Sequence, residues 1–232
     1  EELQLLANTG SKSKDPATYL VAMENLVRYY PSDDYWSDLL GRLQGKAGYS
    51  DRFALDVLRL QFKAVDTMPP QDYSDMAEIA LVNAFPTEAK KVLDAGFAKG
   101  VLGTGANAAK HKKLRDQAAD DAKNIASGEA SAMKSKDGTG LINLGYAFVT
   151  MDQFDKGIDL IQKGIAKGGL KRPEDAKLRL GYSYAMAGKK DDAIKVLETV
   201  KGGDGVGDLA RYWILWLNRP ATATAAPAAA AQ

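Results

Sequence analysis

The chain has 232 residues, 45% of them hydrophobic, and its 31 Lys and Arg nearly balance 30 Asp and Glu. This balance argues against a dedicated nucleic-acid binder, whose electrostatic footprint is strongly basic. The chain has no cysteine, which excludes disulfides, thiol nucleophiles and cysteine-type zinc sites, and it has no run of about 18 apolar residues, so no membrane span is predicted.

The first 103 residues predict short, paired helices. In LVRYYPSDDYW, Pro31 ends one helical segment and Trp36 begins the next. Further along, Ala89 and Leu93 have the spacing of a small residue followed by an apolar one on the same helix face. We therefore predict an N-terminal block of two-helix repeats over residues 1–103.

Residues 104–137 depart from this pattern. From Ala106 to Ile125 the chain contains neither Gly nor Pro and is rich in Ala, the best helix former. This composition predicts one long helix that reaches towards Met133 and acts as a spacer. The alternative is a degenerate repeat that bends at Ser127-Gly128.

The single histidine, His111, lies in the basic run KHKKLR of the same segment. The sequence gives it no carboxylate that would orient it, and no cysteine is available as a nucleophile or metal ligand. We therefore predict that His111 is solvated and that the protein has no catalytic residue, no metal and no cofactor. A non-enzymatic protein is expected.

Residues 138–218 contain a clear internal repeat. LGYAFVTMDQFDKGIDLIQKG begins at Leu144, and LGYSYAMAGKKDDAIKVLETV begins 36 residues later at Leu180. Each Leu-Gly pair lies in a first helix, where the glycine allows a second helix to approach closely. The second helices have a small residue at the crossing point, Gly157 and Ala193. Turns are predicted between the two helices of each copy, at residues 151–153 and 188–190.

Units that begin near residues 1, 34, 70, 104, 138 and 174 account for these spacings. With Leu180, Gly181, Tyr184, Ala193 and Leu197 in the last unit, the chain resembles the tetratricopeptide repeat family, whose pattern is W-x2-L-G-x2-Y followed by Ala, Phe and Pro. The resemblance implies an all-α fold, a right-handed superhelix (α-solenoid) of helix-turn-helix repeats with a C-terminal capping helix. The chain is also similar to exported proteobacterial members. Since it begins with Glu rather than Met, we expect a processed protein in the periplasm or another exported location, with the cytoplasm as the alternative.

The resemblance also implies a binding surface. Stacked repeats leave an extended concave face that holds protein segments. In the register of the family, this face presents Ile142, Tyr146, Val149, Asp175, Leu178, Tyr182 and Met186. The expected function is therefore a non-catalytic protein-interaction scaffold for an unidentified protein or peptide. For Tyr146 and Tyr182, the alternative is packing between neighbouring helices.

The last predicted helix is DLARYWILWLN, from Asp208 to Asn218, and it is apolar over most of its circumference. A stacked array needs a lid on its last repeat, and this helix is the predicted lid. Its surplus apolar face suits docking or self-association through Trp213 and Trp216, so a homo-oligomeric structural protein is the alternative function. Residues 219–232, rich in Ala, Thr and Pro, predict a disordered tail.

Overall fold

The protein is helical throughout the part that the structure describes. The structure is a computed structural model that describes residues 2–12, 15–123 and 133–220. No β-strand occurs within these ranges, which confirms the predicted all-α class. The helices are α1 (Glu2–Lys12), α2 (Pro16–Tyr29), α3 (Asp33–Gln44), α4 (Ala54–Ala64), α5 (Pro70–Val82), α6 (Pro86–Ala98), α7 (Ala108–Asp121), α8 (Thr139–Thr150), α9 (Phe154–Lys167), α10 (Pro173–Met186), α11 (Lys190–Leu197) and α12 (Val206–Leu217).

Three helix pairs are joined by turns of the same geometry. Ala84, Asp152 and Gly188 lie in the turns between α5 and α6, α8 and α9, and α10 and α11, and their φ angles are positive, at 60°, 62° and 73°. In each turn, the residue after the one with the positive φ donates its backbone N–H to a carbonyl oxygen. The acceptor lies five positions before the donor, at distances of 2.8, 3.0 and 2.9 Å in the three turns. This left-handed arrangement ends a helix and redirects the chain. The predicted turns at residues 151–153 and 188–190 are confirmed.

Glycines bring the helices of these pairs into close contact. A Cβ on Gly145 would lie 2.5 Å from the carbonyl oxygen of Gly157, and a Cβ on Gly157 would lie 2.5 Å from the carbonyl oxygen of Gly145. In α10, a Cβ on Gly181 would lie 2.5 Å from the Leu197 side chain of α11. The close approach predicted at the Leu-Gly positions is therefore present in both repeats.

The chain returns on itself at its C-terminal end. Consecutive helices pack on each other from α1 to α7 and again from α8 to α12. The last helix, α12, packs on α10 and α11, where the sequence predicts a lid, and it also packs on α2 and α4. We call α1–α7 the N-terminal half and α8–α12 the C-terminal half, and these contacts join the two halves in one interface.

One apolar core runs through both halves, and its buried residues extend along the chain from Ala7 to Leu215. Leu180 belongs to this core. Leu144 has the equivalent position in α8, but it lies in a small separate cluster with Leu141, Phe148 and Leu160. The two leucines therefore share their place beside a close-packed glycine and differ in their outer neighbours.

The predicted spacer is described only in part. Helix α7 runs from Ala108 to Asp121, and the predicted continuation through residues 124–132, with its alternative bend at Ser127-Gly128, falls outside the described residues. The tail from residue 221 onward also falls outside them. No helix in the described ranges combines the length and apolar character that a bilayer crossing requires.

His111 is buried, which corrects the expectation of a solvated side chain. Only 5% of the residue is exposed, and its Nδ1 accepts a hydrogen bond from the backbone N–H of Gly103 at 3.2 Å. Leu114 and Ala118 follow it at i+3 and i+7 and are also buried. The histidine therefore belongs to the inner face of α7, although its neighbours in sequence are basic.

Candidate functional site

A buried ion pair of the N-terminal half, centred on Arg59, is hydrogen-bonded to two tyrosines of the C-terminal half. Arg59 lies in α4 with 1% of its side chain exposed. Its Nε and Nη2 donate to the two carboxylate oxygens of Glu88 at 2.8 Å each, and its Nη1 donates to Asp56 at 2.9 Å and to the Tyr182 hydroxyl at 3.0 Å. The Tyr146 hydroxyl also donates to Glu88. We refer to these five residues as the Arg59 network.

Burial and pairing together set the ionisation of the network. Burial alone would lower the pKa of Arg59, but Glu88 together with Tyr146 and Tyr182 outweighs it, and that pKa lies well above its usual value. Burial raises the pKa of the Tyr146 and Tyr182 hydroxyls, so both remain protonated at neutral pH. The network thus combines a buried ion pair with two neutral phenols, an arrangement suited to joining helices.

Five aromatic rings form a continuous row beside this network. Phe85 contacts Tyr146 at a centroid distance of 4.9 Å, and Tyr146 contacts Tyr182 at 5.4 Å, both edge to face. Tyr182 stacks on Trp213 at 5.6 Å with an angle of 28° between the rings. Trp213 then meets Trp216 edge to face at 5.5 Å. Each such contact contributes about 0.5–1.5 kcal/mol beyond area burial, so the row connects α12 to α10, and α10 to α8.

The structure places most of the predicted concave-face residues inside the molecule. Tyr146 and Tyr182 are fully buried and lie between helices. This is the packing between neighbouring helices that the sequence allows as the alternative to a place on the concave face. Ile142, Val149 and Leu178 are buried as well. The face that the sequence predicts for a partner is therefore covered by helices of the same chain, α4 and α12 among them.

The remaining two predicted residues keep some exposure. Asp175 forms a two-point ion pair with Arg52 of the N-terminal half, with N–O distances of 2.9 and 3.0 Å. Met186 is partly buried and lines a cleft beside the Arg59 network. The structure does not bring these two side chains to a common open surface.

The two tryptophans predicted for docking make contacts within the chain, Trp213 with Tyr182 of α10 and Trp216 with the N-terminal half. Trp213 is fully buried. Trp216 donates its indole N–H to the backbone carbonyl of Lys63, at the end of α4, with a distance of 2.9 Å. Both indoles are therefore engaged within the monomer.

Charged pairs near the surface close the same interface. Besides Asp175, Arg52 binds Asp204 at 2.6 Å, and its guanidinium lowers the pKa of that carboxyl group. Two further pairs connect the halves, Lys46 to Asp208 and Arg211 to Glu24, each at 2.7 Å. Except for Asp208, which is buried, these groups are partly exposed, so each pair contributes little by itself.

Replacing Arg52 with alanine should lower the free energy of unfolding by about 1 kcal/mol, because it removes a two-point pair and a second carboxylate contact at once. Urea denaturation at low salt measures the loss, and about 1 M NaCl should shrink it. The control is Lys163→Ala, which breaks an exposed pair with Asp159 inside α9 and should cost less than about 0.5 kcal/mol. An equal loss in both variants would contradict a role for Arg52 in joining the halves.

A cleft with a cavity volume of about 140 Å³ lies beside the Arg59 network. Helices α4, α5 and α6 form one side, and α8, α10 and the start of α9 form the other. Buried Arg59, Glu88 and Tyr146 line its inner end. Exposed Lys63, Lys91 and Asp152 line its mouth, and the walls between are the apolar side chains of Phe62, Met76, Val92, Val149, Phe154 and Met186.

No protein-family model and no curated protein matches this chain. In the described part of the chain, no three His, Asp or Glu side chains are grouped so that they could hold a metal ion. Neither Arg59 nor Glu88 is among the site residues that the sequence predicts. The one signal for Arg59 is a charge inside the apolar run LDVLRLQF, and Glu88, in PTEAKK, has no comparable signal.

Proposed function

We propose that the protein is a non-catalytic interaction scaffold, built from tetratricopeptide-like helix pairs in a right-handed superhelix, that binds a helical protein segment on the face of α8 and α10. The equivalent turns at Ala84, Asp152 and Gly188, spaced by 68 and 36 residues, support a repeat of this kind. The close glycine contacts within two of the pairs support it as well.

The observation that carries the proposal is the helix already bound on this face. Helix α12 lies on α10 with Trp213 stacked on Tyr182, and Trp216 reaches across to Lys63 of α4. The face therefore has the shape and chemistry to hold an apolar helix with tryptophans at i and i+3, a recurring way in which grooves bind helices.

The edges of α12 are held by contacts that a competitor could replace. The Lys46–Asp208 and Arg211–Glu24 pairs flank the helix, and their Lys and Arg side chains are 44% and 43% exposed. Exposed pairs of this kind contribute about 0–1 kcal/mol each. A partner helix of similar sequence would compete with α12, and its apparent affinity would scale with the fraction of molecules in which α12 is released.

A peptide that copies residues 206–219 tests this proposal. Fluorescence anisotropy of the labelled peptide should show about tenfold tighter binding to the Asp208→Ala/Arg211→Ala protein than to the wild type, because both substitutions lie on α12 and weaken its closure by about 1.4 kcal/mol, while the peptide keeps both side chains. The control protein is Asp159→Ala/Lys163→Ala, which also loses one acidic and one basic side chain, from an exposed pair within α9. It should bind like the wild type.

A second peptide, in which both tryptophans are replaced by alanine, should not bind. Equal binding of the first peptide to both double variants, or binding that survives loss of the tryptophans, would contradict the proposal. Light scattering on the same proteins separates binding in trans from exchange of α12 between two copies, because only exchange makes the Asp208→Ala/Arg211→Ala protein dimeric without peptide.

A further inference from the structure

We propose that the cleft between α4–α6 and α8–α10 binds a small monocarboxylate with an aromatic or branched apolar body, its carboxylate at the ammonium of Lys63 and its body between the apolar walls. This inference does not rest on the interaction function, although Tyr146, Val149 and Met186 of the predicted concave face also line the cleft. Four features of the cleft carry it: its size, its walls, its saturated inner end and its unpaired lysine.

The size of the cleft limits the ligand to a few heavy atoms. Its volume is about 140 Å³, and an apolar protein cavity of about 150 Å³ holds one benzene molecule. A benzoate-sized ion therefore fits with its ring inside and its carboxylate at the mouth. A nucleotide, a sugar chain or a folded peptide does not fit.

The walls suit an apolar body. Phe62 and Phe154 are partly buried, and Val92 and Val149 are buried, so the cleft presents rings and branched side chains from both halves. Small-molecule sites typically have such walls with a few fixed polar groups. A fully polar ion such as phosphate would leave these walls in contact with water or with its own charge, which is unfavourable.

The polar groups at the inner end are already satisfied. The Nε and Nη2 of Arg59 donate to Glu88, and Nη1 donates to Asp56 and the Tyr182 hydroxyl. Glu88 also accepts from Tyr146. A ligand therefore gains little from the inner end, and the group that selects it must lie at the mouth.

Lys63 is the unpaired lysine at the mouth. Lys91, the other lysine there, pairs with Asp152 at 2.7 Å. Across the described ranges, no side chain or carbonyl pairs with the Lys63 ammonium, and the Phe62 ring lies 5.9 Å from it. Burial, and then the charge of Lys91, lower the pKa of Lys63, and the charges of Asp152 and Glu88 oppose this shift only in part. A bound carboxylate would offset the shift further.

Titration of the ¹⁵N-labelled protein with sodium benzoate, at constant ionic strength, tests the inference. We expect saturable shifts of amide signals from the residues lining the cleft, and about tenfold weaker binding of benzyl alcohol, which has the same ring but no charge. Lys63→Met keeps the aliphatic stem and removes the charge, so it should also weaken benzoate binding about tenfold. Lys163→Met, on the surface of α9, should leave it unchanged.

Lys63 is exposed at its tip, so its replacement should leave the fold intact, and the unchanged spectrum of the free variant checks this. The inference is overturned if benzoate shifts no cleft signal up to high millimolar concentration. It is equally overturned if benzyl alcohol binds as well as benzoate, or if both lysine variants bind benzoate equally. The peptide-binding experiment is unaffected by any of these results.

Discussion

Replacing Glu88 with alanine should lower the free energy of unfolding by about 3–5 kcal/mol. Arg59 would keep a buried guanidinium and lose the carboxylate that binds it through two nitrogens, and breaking a buried pair from one side typically costs this much. Asp56 contacts only Nη1 of Arg59, so Nε and Nη2 would have no acceptor. Urea denaturation followed by circular dichroism measures the loss.

Two further variants make the result specific. Glu78→Ala removes an exposed carboxylate that pairs with Lys110 at 2.8 Å and should cost less than about 1 kcal/mol. The triple variant Asp56→Asn/Arg59→Met/Glu88→Leu removes the three buried charges together, Asp56 included because it pairs with Arg59, and should regain part of the loss, because no charge is then left buried without a partner. A loss in Glu88→Ala no larger than in Glu78→Ala would show that Arg59 is not a buried charge.

The sequence predicts the structural features that depend on residues close together along the chain. The Leu-Gly pairs, the small residues opposite them and the turns at 151–153 and 188–190 each follow from spacing within one helix pair. Gly145 and Gly181 show why this works, since each faces the second helix of its own unit. A rule that repeats along the chain can be recognised without knowing how distant units meet.

The sequence does not predict how the two halves meet. Arg59 and Tyr182 are 123 residues apart and Tyr146 and Glu88 are 58 apart, yet each pair shares a hydrogen bond. Nothing in the spacing of the repeats specifies these contacts. His111 is a second residue whose environment the sequence does not predict. Its basic neighbours predict exposure, but its side chain is buried and accepts a hydrogen bond from a residue in the turn before α7.

The predicted concave face combines a contact that the sequence predicts with one that it does not. The repeat register predicts that Tyr146 and Tyr182 occupy the same slot of successive units, and the two rings are in contact at 5.4 Å. The register does not predict what covers them. Because α12 belongs to the same chain, its effective concentration at this face is high, and it fills the face ahead of any partner.

The glycine contact between α8 and α9 leads to the second large effect. Replacing Gly145 with alanine should lower the free energy of unfolding by about 2–3 kcal/mol, although alanine is the better helix former by about 1 kcal/mol. The added Cβ would lie 2.5 Å from the carbonyl oxygen of Gly157 and 2.9 Å from the amide nitrogen of Ile161. Both atoms belong to the backbone of α9, so the helices must separate.

Two other glycine-to-alanine variants distinguish crowding from helix propensity. Gly41 lies within α3, and a Cβ there would meet nothing within 4 Å, so Gly41→Ala should raise stability by about 0.5–1 kcal/mol. Gly181→Ala should have a stability between those of Gly41→Ala and Gly145→Ala. Its Cβ would meet the side chain of Leu197 rather than backbone atoms, and a side chain can change rotamer. Thermal and urea unfolding should therefore rank the variants as Gly41→Ala, Gly181→Ala and Gly145→Ala, from most to least stable. If Gly145→Ala is as stable as Gly41→Ala, α8 and α9 are not in backbone contact, and the main support for a tetratricopeptide-like pair at this position is lost.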